Sequence, residues 1–198
     1  MSRTTRLTIA VVGLLSLFGI TSATAGAVTW HNTGSTNFTA TAGPVSLSST
    51  GTQWNCTGAT ATGDAPAGAS VGALYNIRGT LTFSGCSLSG INTGIDCAFA
   101  LTGATQPAAG QTTGDLDLTC RMYQFNAQIC HIGGSLHTFY TNPVSGVGVL
   151  TTTTGGNLVT TDVPSAGGSC PLGTDRVHVS EWTLRTTSAT PPIITRTA

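Results

Sequence analysis

The most chemically suggestive run in the chain is Gly68-Ala69-Ser70-Val71-Gly72, which matches the G-x-S-x-G pattern of a serine hydrolase nucleophile elbow. Such an elbow needs an apolar strand before the serine and a helix after it. Here Gly63-Asp64-Ala65-Pro66-Ala67 precedes the motif and a β-patterned segment follows. In a chain with 17 serines and 26 glycines the match reads as coincidence, so hydrolysis is the third-ranked expectation. Paired carboxylates are scarce, with one glutamate, Glu181, and six aspartates. Asp115 and Asp117 alternate onto one strand face, where they suit a weak Ca²⁺ site or, preferably, two solvated charges. His131, His137 and Phe139 share another face and are the candidate ligand contacts.

No C-x-x-C pair occurs, and neighbours on a strand such as Cys130 and His131 point to opposite sides. No metal, cofactor or catalytic residue is therefore assigned. Trp30, Trp54 and Trp182 would serve a sugar platform if exposed, but tryptophans in an all-β domain usually fill the core.

The elements that position these residues are strands. Charged residues make up 7% of the chain, lysine is absent, and 38 of 198 residues are threonine. Threonine is β-branched and suits a pleated, half-buried surface, so its hydroxyls replace charges as the polar face. Apolar residues still reach 39%, enough for a core. Period-two alternation recurs along Tyr75 to Phe83, Ile95 to Leu101, Leu116 to Met122 and Cys130 to Tyr140. The sequence predicts one antiparallel β-sandwich or jelly-roll-like domain of 8–10 strands over residues 28–187. Residues 188–198 are expected as an edge strand or flexible tail, and the uncharged stretches Gly58 to Gly72 and Gly103 to Gly114 as exposed loops. Net charge is zero and the seven arginines do not cluster, which excludes a nucleic-acid footprint.

Residues 1–27 read as a signal peptide. Arg3 and Arg6 precede the apolar run Leu7 to Ile20, and the small residues around Ala25 and Ala27 offer cleavage sites. That run is shorter than the ~20 residues a bilayer-spanning helix needs, so no membrane insertion is expected after cleavage. Six cysteines in the remainder then imply three disulfides in an oxidising, extracellular setting. Fifteen connectivities exist; strand phase favours Cys120–Cys130, the Gly/Ser/Asn-rich connection between Cys86 and Cys97 suggests a second local bridge, and Cys56–Cys170 is left to close the ends. Cys86 falls out of phase with Phe83 unless Gly85 sits in a bulge.

As a set, Trp54-x-Cys56, Phe83-x-x-Cys86, Cys170-Pro171-Leu172-Gly173 and the ending Ile194-Thr195-Arg196-Thr197 resemble small secreted Thr/Gly-rich, cysteine-containing proteins of high-GC Gram-positive bacteria. The resemblance implies a shared fold and export, and transfers no catalytic or binding residue. The expected function is a secreted, non-catalytic structural or interaction protein, self-assembling or attached to an extracellular polymer. The alternative is a carbohydrate- or small-ligand-binding module, favoured by a pair of exposed aromatics and weakened by three buried tryptophans.

Overall fold

The computed structural model describes residues 28–49, 52–71, 75–153, 157–162, 170 and 176–197. The signal-peptide reading of residues 1–27 lies outside them, as do Gly72 and Pro171 to Gly173. Fifteen strands form among the described residues. They are β1 (Thr29–Asn32), β2 (Asn37–Ala42), β3 (Val45–Ser49), β4 (Thr52–Cys56), β5 (Gly58–Asp64), β6 (Gly68–Val71), β7 (Tyr75–Leu88) and β8 (Ile91–Ala108). There follow β9 (Gln111–Gln124), β10 (Ala127–Val144), β11 (Val147–Thr152), β12 (Asn157–Asp162), β13 (Arg176–Val179), β14 (Thr183–Thr186) and β15 (Ile194–Thr197). The expected all-β, disulfide-stapled antiparallel domain is what these strands build.

Several short strands are halves of longer ones. The pairs Ala42↔Ala59 and Val45↔Cys56 keep one register, so β2 with β3 and β4 with β5 make a single interrupted hairpin. Pro44, which has no N–H to donate, falls at the first break. The second break is bridged by the bond from Thr57 N–H to the Ser84 carbonyl, 2.9 Å. On the other side, β10 pairs with β12 through Cys130 to Ser135 and with β11 through Thr138 to Val144. The strands thus run as eight lines in chain order, and the last pairs with the first through Leu184↔Ala42 and Val179↔Leu47. The main sheet closes into a ring. Closure leaves it without the exposed edges that invite pairing with other chains.

Alternation fills the ring. Tyr75, Ile77, Leu81 and Phe83 on β7 are buried, as are Ile95, Cys97, Phe99 and Leu101 on β8. Leu116, Leu118, Cys120 and Met122 on β9 meet Ile132 and Leu136 on β10. Opposite walls touch: Phe38 lies 6.5 Å from Phe99, and Phe83 6.1 Å from Trp182, between ring centroids. Each such buried side chain contributes about 1.5–3 kcal/mol.

Two stretches read as loops are strands. Ala59, Ala61 and Ala65 point inward and are buried, while Thr60, Thr62 and Asp64 point out. Small inward residues keep the period-two pattern without its usual bulky marks, so β5 resembles a loop in composition. The same holds where Gly103 pairs with Gly114 in the long β8–β9 hairpin.

All three expected cysteine pairings are corrected: the bridges are Cys56–Cys86, Cys97–Cys120 and Cys130–Cys170. The two-residue turn Phe125-Asn126 together with a bulge between Gln128 and Cys130 places Cys120 opposite Ile132 rather than Cys130, and Cys120 faces Cys97 across its other edge. Cys97 in turn lies opposite Leu81, out of reach of Cys86. The bulge at Gly85 is present, with φ 57° and a register shift between Phe83 and Cys86, and it brings Cys86 inward to meet Cys56. The three bridges imply an oxidising compartment. No helix among the described residues is long and apolar enough to cross a membrane.

A second sheet, β15-β1-β6, covers one end of the ring. The C-terminal segment forms one edge of this sheet as β15. Side chains of the ring substitute for a strand partner there: Asn142 donates to the Ile194 carbonyl and accepts from Ile194 N–H, and Gln106 accepts from Arg196 N–H. The Tyr140 hydroxyl donates to the Pro192 carbonyl at 2.6 Å, and that of Tyr75 to the Pro66 carbonyl at 2.7 Å. Burial pushes the Tyr75 hydroxyl up to about 12, offset in part by the polar Asn32 side chain. Burial raises Tyr140 further, with a smaller contribution from repulsion by Tyr75.

Candidate functional site

Function depends first on whether the ring can hold a ligand inside. It cannot. The voids within the walls amount to about 40, 10 and 10 Å³. A small-molecule site needs about 300 Å³ or more. The larger depressions among the described residues lie on the outer surface.

The outer face of three adjacent strands carries a regular hydroxyl array. Thr39-Ala40-Thr41 on β2, Thr60-Ala61-Thr62 on β5 and Thr80-Leu81-Thr82 on β7 stand in register, with Thr39↔Thr62↔Thr80 in one row and Thr41↔Thr60↔Thr82 in the next. All six threonines are exposed over a buried Ala40, Ala61 and Leu81. Strand geometry spaces the hydroxyls by about 4.8 Å across strands and about 6.7 Å along them. Thr62 and Thr80 hydroxyls bond at 2.9 Å, and Thr39 bonds Thr187 at 2.8 Å.

Beside this array the surface dips into a depression of about 580 Å³, flanked by Asn37, Thr39, Thr62, Asp64, Thr80 and Ser188. Its floor contains Gly63 and Gly79, which sit opposite each other. A Cβ on Gly79 would lie 2.1 Å from the Thr62 carbonyl oxygen, and one on Gly63 2.7 Å from the Phe38 ring. Only glycine permits this approach. The half-buried Phe38 ring occupies the space beneath and also lines the depression.

A second open depression, about 490 Å³, lies at the far end of the ring between Asn92, Thr93, Gly94, Tyr123, Phe125 and Asn126. Phe125 is 84% exposed, more than any other large apolar side chain described. Thr93 forms the link to the core, because its hydroxyl accepts the Trp54 Nε1–H at 2.6 Å.

The residues singled out from sequence scatter over the exterior. His137 and Phe139 do share a face and touch edge to face at 5.9 Å. His137 Nδ1 also lies 2.9 Å from Asp115 Oδ1, a pair in which both side chains are more than half exposed. His131 stands six residues away on the same strand, about 20 Å at strand rise, and contacts Gln128 instead. The three side chains therefore do not converge on one point of the surface. Asp117 lies opposite Ser135 and Ala100, away from a second carboxylate on the neighbouring strands.

Ser70 is held in β6 opposite Trp30, not on a strand-to-helix turn. Directly paired residues share a face, so Ser70 points with Trp30 while His31 points away. Among the described residues Ser70 has no histidine partner. The three tryptophans are buried at 0, 0 and 4% exposure, so none forms a sugar platform. What sequence reasoning missed is the in-register Thr-x-Thr array and the Tyr123–Phe125 depression. The Thr-x-Thr triplets were visible in the sequence, but their alignment depended on reading β5 as a strand.

Comparison with protein families, curated proteins and solved structures found no match to this chain.

Proposed function

We propose that this is a secreted, non-catalytic extracellular interaction protein that attaches through its outer face to a neutral, polyhydroxylated polymer. The observation that carries this reading is the in-register threonine array beside a polar depression, on a ring whose interior is packed solid. Threonine hydroxyls donate and accept, as polymer hydroxyls do. Their fixed spacing on a rigid sheet lowers the entropy lost on binding. A surface with so few charges neither steers nor repels such a partner.

Closure of the main sheet weakens the case for strand-to-strand self-assembly, because among the described residues the free edges belong to the small sheet. The test is co-sedimentation of the oxidised protein with insoluble cellulose, chitin and xylan, beside light scattering of the protein alone. Retention on a polymer by a monomer supports the reading. Concentration-dependent growth without retention would return the protein to self-assembly.

A further inference from the structure

Four two-residue turns link the long strands, and three end in glycine: Ser89-Gly90, Ala109-Gly110 and Ser145-Gly146. Glycine is expected there, because the second turn position has positive φ. The fourth turn is Phe125-Asn126, with φ of 51° and 64°. A bulky aromatic in the left-handed region is an outlier, and this one turns its ring out to solvent. Such strain gathers at ligand contacts, and the inference runs from the outlier to the function.

The surroundings point the same way. Gly94 lies opposite Tyr123, and the absent side chain leaves the flank of that ring uncovered. Tyr123 and Phe125 therefore border one depression, with the amides of Asn92 and Asn126 around it and no charged group in its lining. Thr93 lies opposite the inward-facing Cys86 and accepts from the buried Trp54, so it links the floor of the depression to the core.

From this geometry we infer that the depression at the β9–β10 turn is a saccharide site, in which a neutral pyranose ring packs its C–H face on Phe125 and Tyr123. Asn92 and Asn126 each offer a donor and an acceptor to neighbouring hydroxyls. The lack of charge selects neutral sugars over uronates, amines or phosphates. The threonine array grips a surface broadly; the turn reads one ring. This inference rests on the polymer-binding reading above and names a place and ligand class for it.

The test uses the indole N–H resonances of the oxidised protein, titrated with cellohexaose, chitohexaose and xylohexaose to low-millimolar concentration. Trp54, bonded to the depression through Thr93, is the reporter; Trp30 and Trp182 are internal controls. The expected result is a shift of Trp54 alone with at least one oligosaccharide. Phe125→Gly, which removes the ring and relaxes the turn, weakens binding about tenfold or more, and Phe125→Tyr retains it. Retention on a polymer with equal affinity for wild type and Phe125→Gly would overturn this site and leave the broader reading standing. Absence of binding to every soluble and insoluble glycan would overturn both. A Trp54 shift on concentrating the protein without sugar would assign the turn to self-association and overturn the saccharide site.

Discussion

The two ends of the ring are closed by different physics. At one end a three-stranded sheet lies over the opening, tied down by Tyr75, Tyr140, Gln106 and Asn142 through hydrogen bonds to backbone. At the other, Cys56–Cys86 and Cys130–Cys170 hold the walls covalently and the turns stand free. One end therefore resists opening by the docking of a sheet, and the other by covalent links close to the turn that displays Phe125.

The largest expected effect breaks the stapled end. The Cys130→Ala/Cys170→Ala double variant opens a link spanning 40 residues, and should lose about 3–4 kcal/mol if constraint of the unfolded chain dominates. Thermal unfolding under non-reducing conditions checks it. A smaller loss is expected at the covered end: Tyr140→Phe leaves the buried Pro192 carbonyl without its donor, for about 1–2 kcal/mol. Amide exchange in β15 should quicken while exchange near Cys130 stays unchanged.

Alkali should sharpen the same contrast. The folded protein holds the Tyr75 proton more tightly than the unfolded chain does, with its value raised to about 12. The stability this contributes is intact below about pH 10 and is lost as pH rises through 10 towards 12. The covered end should therefore loosen first in alkali, seen as exchange in β1 and β15 rising together with tyrosinate absorbance. A gain is expected at the turn: Phe125→Gly should raise stability by up to about 1 kcal/mol by removing left-handed strain, while weakening binding. The smallest effect belongs to the exposed Asp115–His137 pair. Asp115→Asn should change stability by no more than a few tenths of a kcal/mol, less in high salt.

Much of the ring was legible in the sequence because long apolar side chains mark β7 through β10 at period two. The wall formed by β2 and β5 was harder, since Ala59 and Ala61 fill core positions where larger residues would announce a strand. The cysteine pairs illustrate a different limit. Phase placed Cys97, Cys120 and Cys130 correctly for inward bridging, and Cys86 once the Gly85 bulge was allowed, yet partner choice required the register; Cys56 and Cys170 were assigned only as the remaining pair. The two-residue turn at Phe125-Asn126 and the bulge between Gln128 and Cys130 each moved Cys130 one residue away from Cys120. The same turn hid the second depression, because an F-N dipeptide carries none of the glycine that signals its three siblings.

The most direct test of the interaction reading is amide hydrogen exchange on the oxidised protein, alone and bound to the polysaccharide that retains it. Protection on binding is predicted at residues 92–94 and 123–126 and along the threonine strands β2, β5 and β7, with β1, β6 and β15 unchanged. Protection confined to β1, β6 and β15, or no glycan able to retain the protein, would contradict it.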